Sequence, residues 1–206
     1  MKIVVKICGI TNGEDARTAV AAGADAVGFN FYEKSPRFLD LAAAAGIARS
    51  LPPSVLRVGV FVNAPGEAVV QAISECDLGM LQFHGEEDPN YCQQFGLMCM
   101  KAFRIHGRET IEEMKSYNTD AYLLDAWMPG VRGGTGESFD WELAEEAKKI
   151  GRPIFLAGGL TPENVAAAIR KVQPFGVDVA SGVESYAGKK DPAKVKAFIQ
   201  AVRSIQ

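Results

Sequence analysis

Residues 153–184, PIFLAGGLTPENVAAAIRKVQPFGVDVASGVE, run from an apolar strand through paired glycines into an amphipathic helix, then into a second strand ending on Ser181-Gly182. A short apolar run bounded by turn residues reads as a buried parallel strand, and the helical periodicity behind it as a helix packed on that strand. Glycines at the strand ends, Gly158-Gly159 and Gly182, let backbone N–H groups approach an anion, and the unpaired N–H groups of a helix start attract negative charge. Glycines also make tight turns with no ligand at all. Two such turns in adjacent units favour a phosphate ester.

The same unit recurs in both directions along the chain. Strands are expected near Ile3–Ile7, Ala26–Phe31, Arg57–Val62, Gly79–Phe83, Met98–Arg104, Ala121–Leu124, Pro153–Leu156 and Val177–Val179. Helices are expected near Asn12–Ala22, Leu41–Ser50, Gly66–Glu75, Pro89–Phe95, Arg108–Ser116, Trp141–Ile150, Pro162–Lys171 and Pro192–Ile205. Strict alternation of this kind defines an α/β fold with a parallel sheet. Two architectures fit, a closed (βα)₈ TIM barrel and a doubly wound open sheet. The barrel is favoured, as one domain over residues 1–206, because no unit reads as a terminal edge strand and no GxGxxG opens the chain. Thr161-Pro162 and Asp191-Pro192 mark helix starts, and Asp140 is placed to cap the helix after it. Asp25, Asp77 and Asp120 each stand just before an even-numbered strand, an echo of a doubled βα unit.

Composition narrows the function. The 206 residues are 48% hydrophobic and 23% charged, with a net charge of −3. No basic surface for nucleic acid and no basic amphipathic membrane-binding stretch is expected. Nor is there an apolar run of the ~18 residues that cross a bilayer. The amino terminus is broken by Lys6 and reads as a first strand rather than a secretory signal. Cys8, Cys76, Cys92 and Cys99 show no CxxC pairing and no metal-ligand spacing with the two histidines, which favours free thiols in a reducing cytoplasm.

Active sites of such barrels lie at the carboxyl ends of the strands. Asp125 ends the run Ala121–Leu124, where desolvation would keep a carboxyl protonated for general-acid work. Cys8 ends the first strand. There a thiol can serve as base or nucleophile, although free cysteines are more often small buried hydrophobes. Arg37 follows the second strand and suits bidentate binding of a carboxylate or phosphate. His84 is placed to polarise a substrate oxygen, although a lone histidine is more often a satisfied structural one. Lys101 raises Schiff-base chemistry as a minor idea, and His106 has no supporting context. Residues 126–139 form a long Gly-rich loop of the kind that serves as a lid.

The ordered motifs Lys6-Ile7-Cys8-Gly9, Ser35-Pro36-Arg37, Gln82-Phe83-His84-Gly85, Leu124-Asp125, Gly133-Gly134-Thr135-Gly136, Leu156-Ala157-Gly158-Gly159-Leu160 and Asp178-Val179-Ala180-Ser181-Gly182-Val183-Glu184 resemble those of phosphoribosylanthranilate isomerases across the whole chain. One departure is Phe83, where the family more often has Leu. The resemblance implies a cofactor-free, metal-free Amadori rearrangement of a small phosphorylated substrate in tryptophan biosynthesis. It implies that Asp125 is the general acid and Cys8 the base, that Arg37 holds the anthranilate carboxylate, and that His84, Gly158, Gly159, Ser181 and Gly182 bind substrate. The net charge leaves no nucleic-acid or membrane partner expected, and a monomer and a homodimer both stay open. Two rivals differ from it: another phosphate-binding barrel enzyme of the Schiff-base type using Lys101, and a catalytically silent barrel that only binds a phosphorylated ligand.

Overall fold

The computed structural model describes residues 2–105, 107–125 and 141–205. The eight βα units run β1 Val4–Cys8, α1 Gly13–Ala22, β2 Ala26–Asn30, α2 Leu41–Arg49, β3 Leu56–Phe61, α3 Gly66–Cys76, β4 Met80–Phe83 and α4 Pro89–Gln93. They continue with β5 Cys99–Arg104, α5 Arg108–Met114, β6 Ala121–Asp125, α6 Trp141–Lys148, β7 Ile154–Ala157, α7 Val165–Val172 and β8 Gly176–Val179. A hairpin of β9 Glu184–Tyr186 and β10 Lys189–Lys190 precedes α8 Pro192–Arg203. The eight main strands are parallel and in sequence order, and β8 pairs back onto β1 from Val4↔Gly176 to Ile7↔Val179. That pairing closes the barrel and excludes the open sheet. Among the described residues no helix is long and apolar enough to cross a membrane.

Side chains alternate across each strand, so a closed sheet has two cores. The lumen is filled by a small set including Ala26, Val58, Met80, Met100, Ala121, Leu123 and Phe155. A larger layer lies between strands and helices, built on residues such as Val27, Phe61, Leu81, Leu124, Ile169 and Phe198. Within the lumen, Lys6, Gln82 and Asp178 are buried with these apolar groups. Their presence marks the polar end.

Two of the three aspartates before even-numbered strands do the same job. Asp25 accepts from Val5 N at 2.9 Å, and Asp120 accepts from Cys99 N at 2.8 Å. Each carboxylate thereby pins the start of the preceding strand, and the two units are four apart around the barrel. Asp77 instead ends α3 in the left-handed conformation and pairs with Arg57 at 3.3 Å.

Local signals placed most helix ends, as where Asp191 caps α8 by accepting from Ala193 N and Lys194 N. The seventh helix corrects an expectation. Pro162 is not its first residue: Asn164 Oδ1 accepts from Thr161 N and the Thr161 hydroxyl accepts from Glu163 N, so 161–164 close as a turn before α7. The β9–β10 hairpin was not anticipated, because its residues are polar and few. Asp140, His106 and the loop 126–139, with its motif Gly133–Gly136, lie outside the described residues.

Phe83 has a packing reason. Its ring is buried on the outer face of β4, 5.6 Å from Tyr91 edge-on, 5.7 Å from Phe95 and 6.2 Å from Phe61, centroid to centroid. Phe83→Ala is expected to cost about 3–5 kcal/mol of stability, since it empties the centre of this cluster. Urea unfolding followed by circular dichroism checks it, and a loss below about 1 kcal/mol would show that the cluster collapses without strain.

Candidate active site

A cavity of about 270 Å³ opens at the carboxyl ends of the strands. Cys8, Arg37, His84, Asp125, Gly158, Gly159, Ser181 and Gly182 all line it. A larger cavity of about 840 Å³ lies at the opposite face, against Lys2, Pro153 and Phe175, where barrels do not build their chemistry.

Asp125 is the last residue of β6 and its side chain is partly exposed. Its Oδ2 lies 3.5 Å from His84 Nε2, and Gln82 Nε2 lies 3.0 Å from His84 Nδ1. Gln82 thus holds one imidazole nitrogen of His84 while the other faces Asp125. Gln82 Oε1 is buried with no hydrogen-bond partner among the described residues.

Cys8 ends β1 on the same lumen face as Lys6, two residues earlier. Burial pushes the Cys8 thiol up, and Lys6 beside it pulls the other way without cancelling the shift. Burial would lower Lys6, but Asp178, whose Oδ1 is 2.9 Å from Lys6 Nζ, and Cys8 together push it up to about 12. The next residue, Gly9, has φ 72°, and a side chain there would put Cβ 2.5 Å from Arg37 Cδ. Glycine is therefore needed twice over at this turn, for its backbone and for the space Arg37 occupies.

Arg37 already holds a carboxylate. Its Nε and Nη2 donate to Glu184 Oε1 and Oε2 at 2.8 and 2.6 Å, and Lys190 Nζ donates to Oε1 at 2.8 Å. Burial alone would raise the Glu184 carboxyl, but Arg37 and Lys190 hold it below the usual range. Arg37 Nη1 makes no hydrogen bond among the described residues.

The two Gly-rich turns sit side by side. Gly158 and Gly159 are left-handed, at φ 81° and 65°, and a Cβ on Gly182 would collide with Leu160 O. The turn after β8 can pack on the turn after β7 only with hydrogen at that position. Lys101 is elsewhere. Its Nζ donates to Gly85 O at 2.6 Å and pairs with buried Glu87 at 3.0 Å, outside the cavity that holds Cys8 and Asp125. Glu87 also accepts from Asn63 N and Gly85 N, so this pair secures the loop behind His84. Sequence reading missed Lys6, Gln82, Asp178, Glu184 and Lys190. A signal existed for the first two, which share a strand face with Cys8 and His84 at i, i+2.

A closed barrel whose strand ends join a carboxyl, a thiol, a guanidinium and two Gly-rich turns in one cavity has the make-up of a (βα)₈ enzyme site. The family model described as N-(5'-phosphoribosyl)anthranilate (PRA) isomerase matches residues 5–201. An N-(5'-phosphoribosyl)anthranilate isomerase from Citrifermentans bemidjiense is 54% identical over 201 residues, covering 98% of this chain and 97% of its own. One from Trichlorobacter lovleyi is 53% identical over 198 residues, covering 96% and 97%. The crystal structure of phosphoribosyl anthranilate isomerase from Thermotoga maritima matches with a TM-score of 0.91 at 44% identity, covering 98% of this chain and 99% of that one. A phosphoribosyl anthranilate isomerase crystallised with reduced 1-(o-carboxyphenylamino)-1-deoxyribulose 5-phosphate matches at 0.89 and 42%, with the same coverage. The chain belongs to the N-(5'-phosphoribosyl)anthranilate isomerase family. It is an intramolecular aldose–ketose isomerase that converts phosphoribosylanthranilate to 1-(o-carboxyphenylamino)-1-deoxyribulose 5-phosphate in tryptophan biosynthesis.

Because Glu184 grips Arg37 on two nitrogens, Glu184→Gln is expected to misalign the guanidinium. KM for phosphoribosylanthranilate should rise about tenfold, the scale of one charged hydrogen bond, with a smaller change in kcat. Steady-state fluorescence kinetics measure both, and an unchanged KM would remove Glu184 from substrate binding.

Proposed function

We propose that Asp125 and Cys8 divide the proton transfers of this isomerisation between them. Asp125 gives its proton to the ribose ring oxygen as the C1–O bond breaks, leaving an iminium between C1 and the anthranilate nitrogen. Cys8, as thiolate, takes the proton from C2, and the C–H electron pair moves into the C1–C2 bond while the iminium pair returns to nitrogen. The enolamine so formed tautomerises to the ketone. Each step moves one proton and leaves every bond accounted for within the substrate, so neither draws on a cofactor. The observation that carries this reading is that one cavity of about 270 Å³ has a carboxyl, a thiol, Arg37 and two Gly-rich turns on its wall.

Arg37, through Nη1, takes the anthranilate carboxylate. The turns at Gly158-Gly159 and Ser181-Gly182 take the phosphate with backbone N–H groups. His84 orients Asp125 through Nε2 and lies against the substrate oxygens. Holding the substrate at both ends supplies the positioning on which a cofactor-free reaction depends. The chain acts as a single catalytic domain in the cytoplasm. The dimeric relative from Thermotoga maritima makes monomer against homodimer the question for sedimentation.

Cys8→Ser and Asp125→Asn are each expected to lower kcat by about 10²–10⁴-fold while the reduced product analogue still binds, by isothermal titration. Near-normal turnover in either would sink the assignment. The pH dependence has a definite sign. The base must be deprotonated and burial raises the Cys8 thiol, so kcat/KM should climb with pH beyond the ordinary thiol range of about 8.5 rather than level off below it. A plateau already reached at about pH 7 in stopped-flow assays would contradict it.

A further inference from the structure

We infer that Lys6, anchored by Asp178, is a positioning residue whose ammonium favours the thiolate form of the Cys8 sulfur against the cost of its burial, for proton abstraction. The inference rests on the reading of Cys8 as base and adds the group that makes that base possible.

The geometry starts from β1. Lys6 and Cys8 are separated by one residue, so both side chains enter the lumen. Across the sheet on β2 stands Gly28, paired in register with Cys8. A Cβ on Gly28 would lie 2.9 Å from Cys8 Sγ and 3.0 Å from Lys6 Nζ. The thiol and the ammonium thus converge on the space left by one missing side chain. On the other flank, β8 supplies Asp178, which takes one ammonium N–H at 2.9 Å. An ammonium has three donors. One goes to Asp178, and another is available to the sulfur.

Stability alone does not account for this arrangement. Lys6 is 1% exposed and its carboxylate partner 7%. Taking such a pair out of water costs several kcal/mol per ion, and a buried ion pair is often no more stable than apolar residues of the same volume. Its useful property is electrostatic. A buried thiolate needs a fixed positive charge within a few ångströms, because no water stabilises it. Asp178 has the complementary task. Burial favours neutral Lys6, which would pass the balance of charge to a neutral thiol, and the adjacent carboxylate keeps the ammonium charged.

The charges around the sulfur agree. Lys6 on β1, Lys190 on β10 and Arg37 from the loop after β2 act on Cys8 as cations, against the carboxylates Asp178 on β8 and Glu184 on β9. His84 and Asp125 complete the cavity wall. Lys6 is the cation that acts most strongly on the sulfur, with Lys190 the weaker second.

The test reads Cys8 directly, apart from turnover. The pH dependence of Cys8 alkylation by iodoacetamide, followed by mass spectrometry of the Cys8 peptide, is measured for wild type, Lys6→Met and Lys6→Arg, with circular dichroism to confirm folding. Lys6→Met is expected to raise the alkylation midpoint by about one pH unit or more, the scale set by a neighbouring opposite charge. kcat should fall about tenfold or more with its rising pH limb displaced by the same interval, while KM moves less than about threefold. Lys6→Arg should recover most of both. If Lys6→Met does not fold, Gly28→Ala serves instead, because it keeps both charges and drives a methyl group between Nζ and Sγ. A midpoint unmoved in a folded variant overturns the inference and leaves Cys8 as base to be judged on Cys8→Ser. A midpoint that moves without any change in the rate profile supports the Lys6–Cys8 contact and overturns Cys8 as base.

Discussion

The pairing of β1 with β8 is the constraint on which the rest of the molecule depends. It joins residues about as far apart in the chain as the protein allows, and it sets Lys6 opposite Asp178 in register. Without that closure the thiol of Cys8 and the turn at Ser181-Gly182 would lie at opposite edges of an open sheet. The contacts that secure the seam are spread along its length. At its foot Arg203 of α8 reaches Ile3 O and Asp25, and at its mouth Thr11 Oγ1 donates to Gly188 O at 2.5 Å. The site at the mouth thus depends on contacts made by both the first and the last βα units.

The mouth of the barrel is a charge network rather than a set of independent side chains. Arg37, Glu184 and Lys190 share hydrogen bonds, and Lys190 also donates to Ala180 O at 3.1 Å. Lys189 next door pairs with Asp15 at 2.7 Å, whose other oxygen accepts from Lys190 N at 2.8 Å. The small β9–β10 hairpin thus ties the first βα unit to the last and carries the carboxylate that orients Arg37. A short antiparallel element with no core of its own earns its place through these polar contacts.

Much of this was legible in the sequence because it is encoded locally. Strand and helix alternation depends on residues within a few positions of each other, and all eight main strands fall within one or two residues of their expected limits. The Gly-rich turns after β7 and β8 were legible for the same reason. What stayed hidden depends on partners remote in sequence. Lys6 is an ordinary strand residue until Asp178 and Gly28 meet it. Glu184 carries no motif that says it faces Arg37, 147 positions away. Lys101 was weighed as a nucleophile because its strand was known and its facing was not. Alternation places it on the outer face, where Glu87 engages it. The start of α7 was misplaced by a competition between two local signals. Thr161-Pro162 looked like a cap, and Asn164 won by closing a turn on Thr161.

Gln82 has a consequence of its own. Its amide nitrogen lies against His84 Nδ1 and, among the described residues, Oε1 is unmatched in a buried place. Leaving such an atom bare costs about 1–3 kcal/mol. A carboxamide is nearly symmetric, however, and a half-turn about its last bond exchanges donor for acceptor. Either end of the amide therefore reaches His84 Nδ1 from the same place on β4, and the imidazole is held opposite Asp125 whichever way the amide is turned.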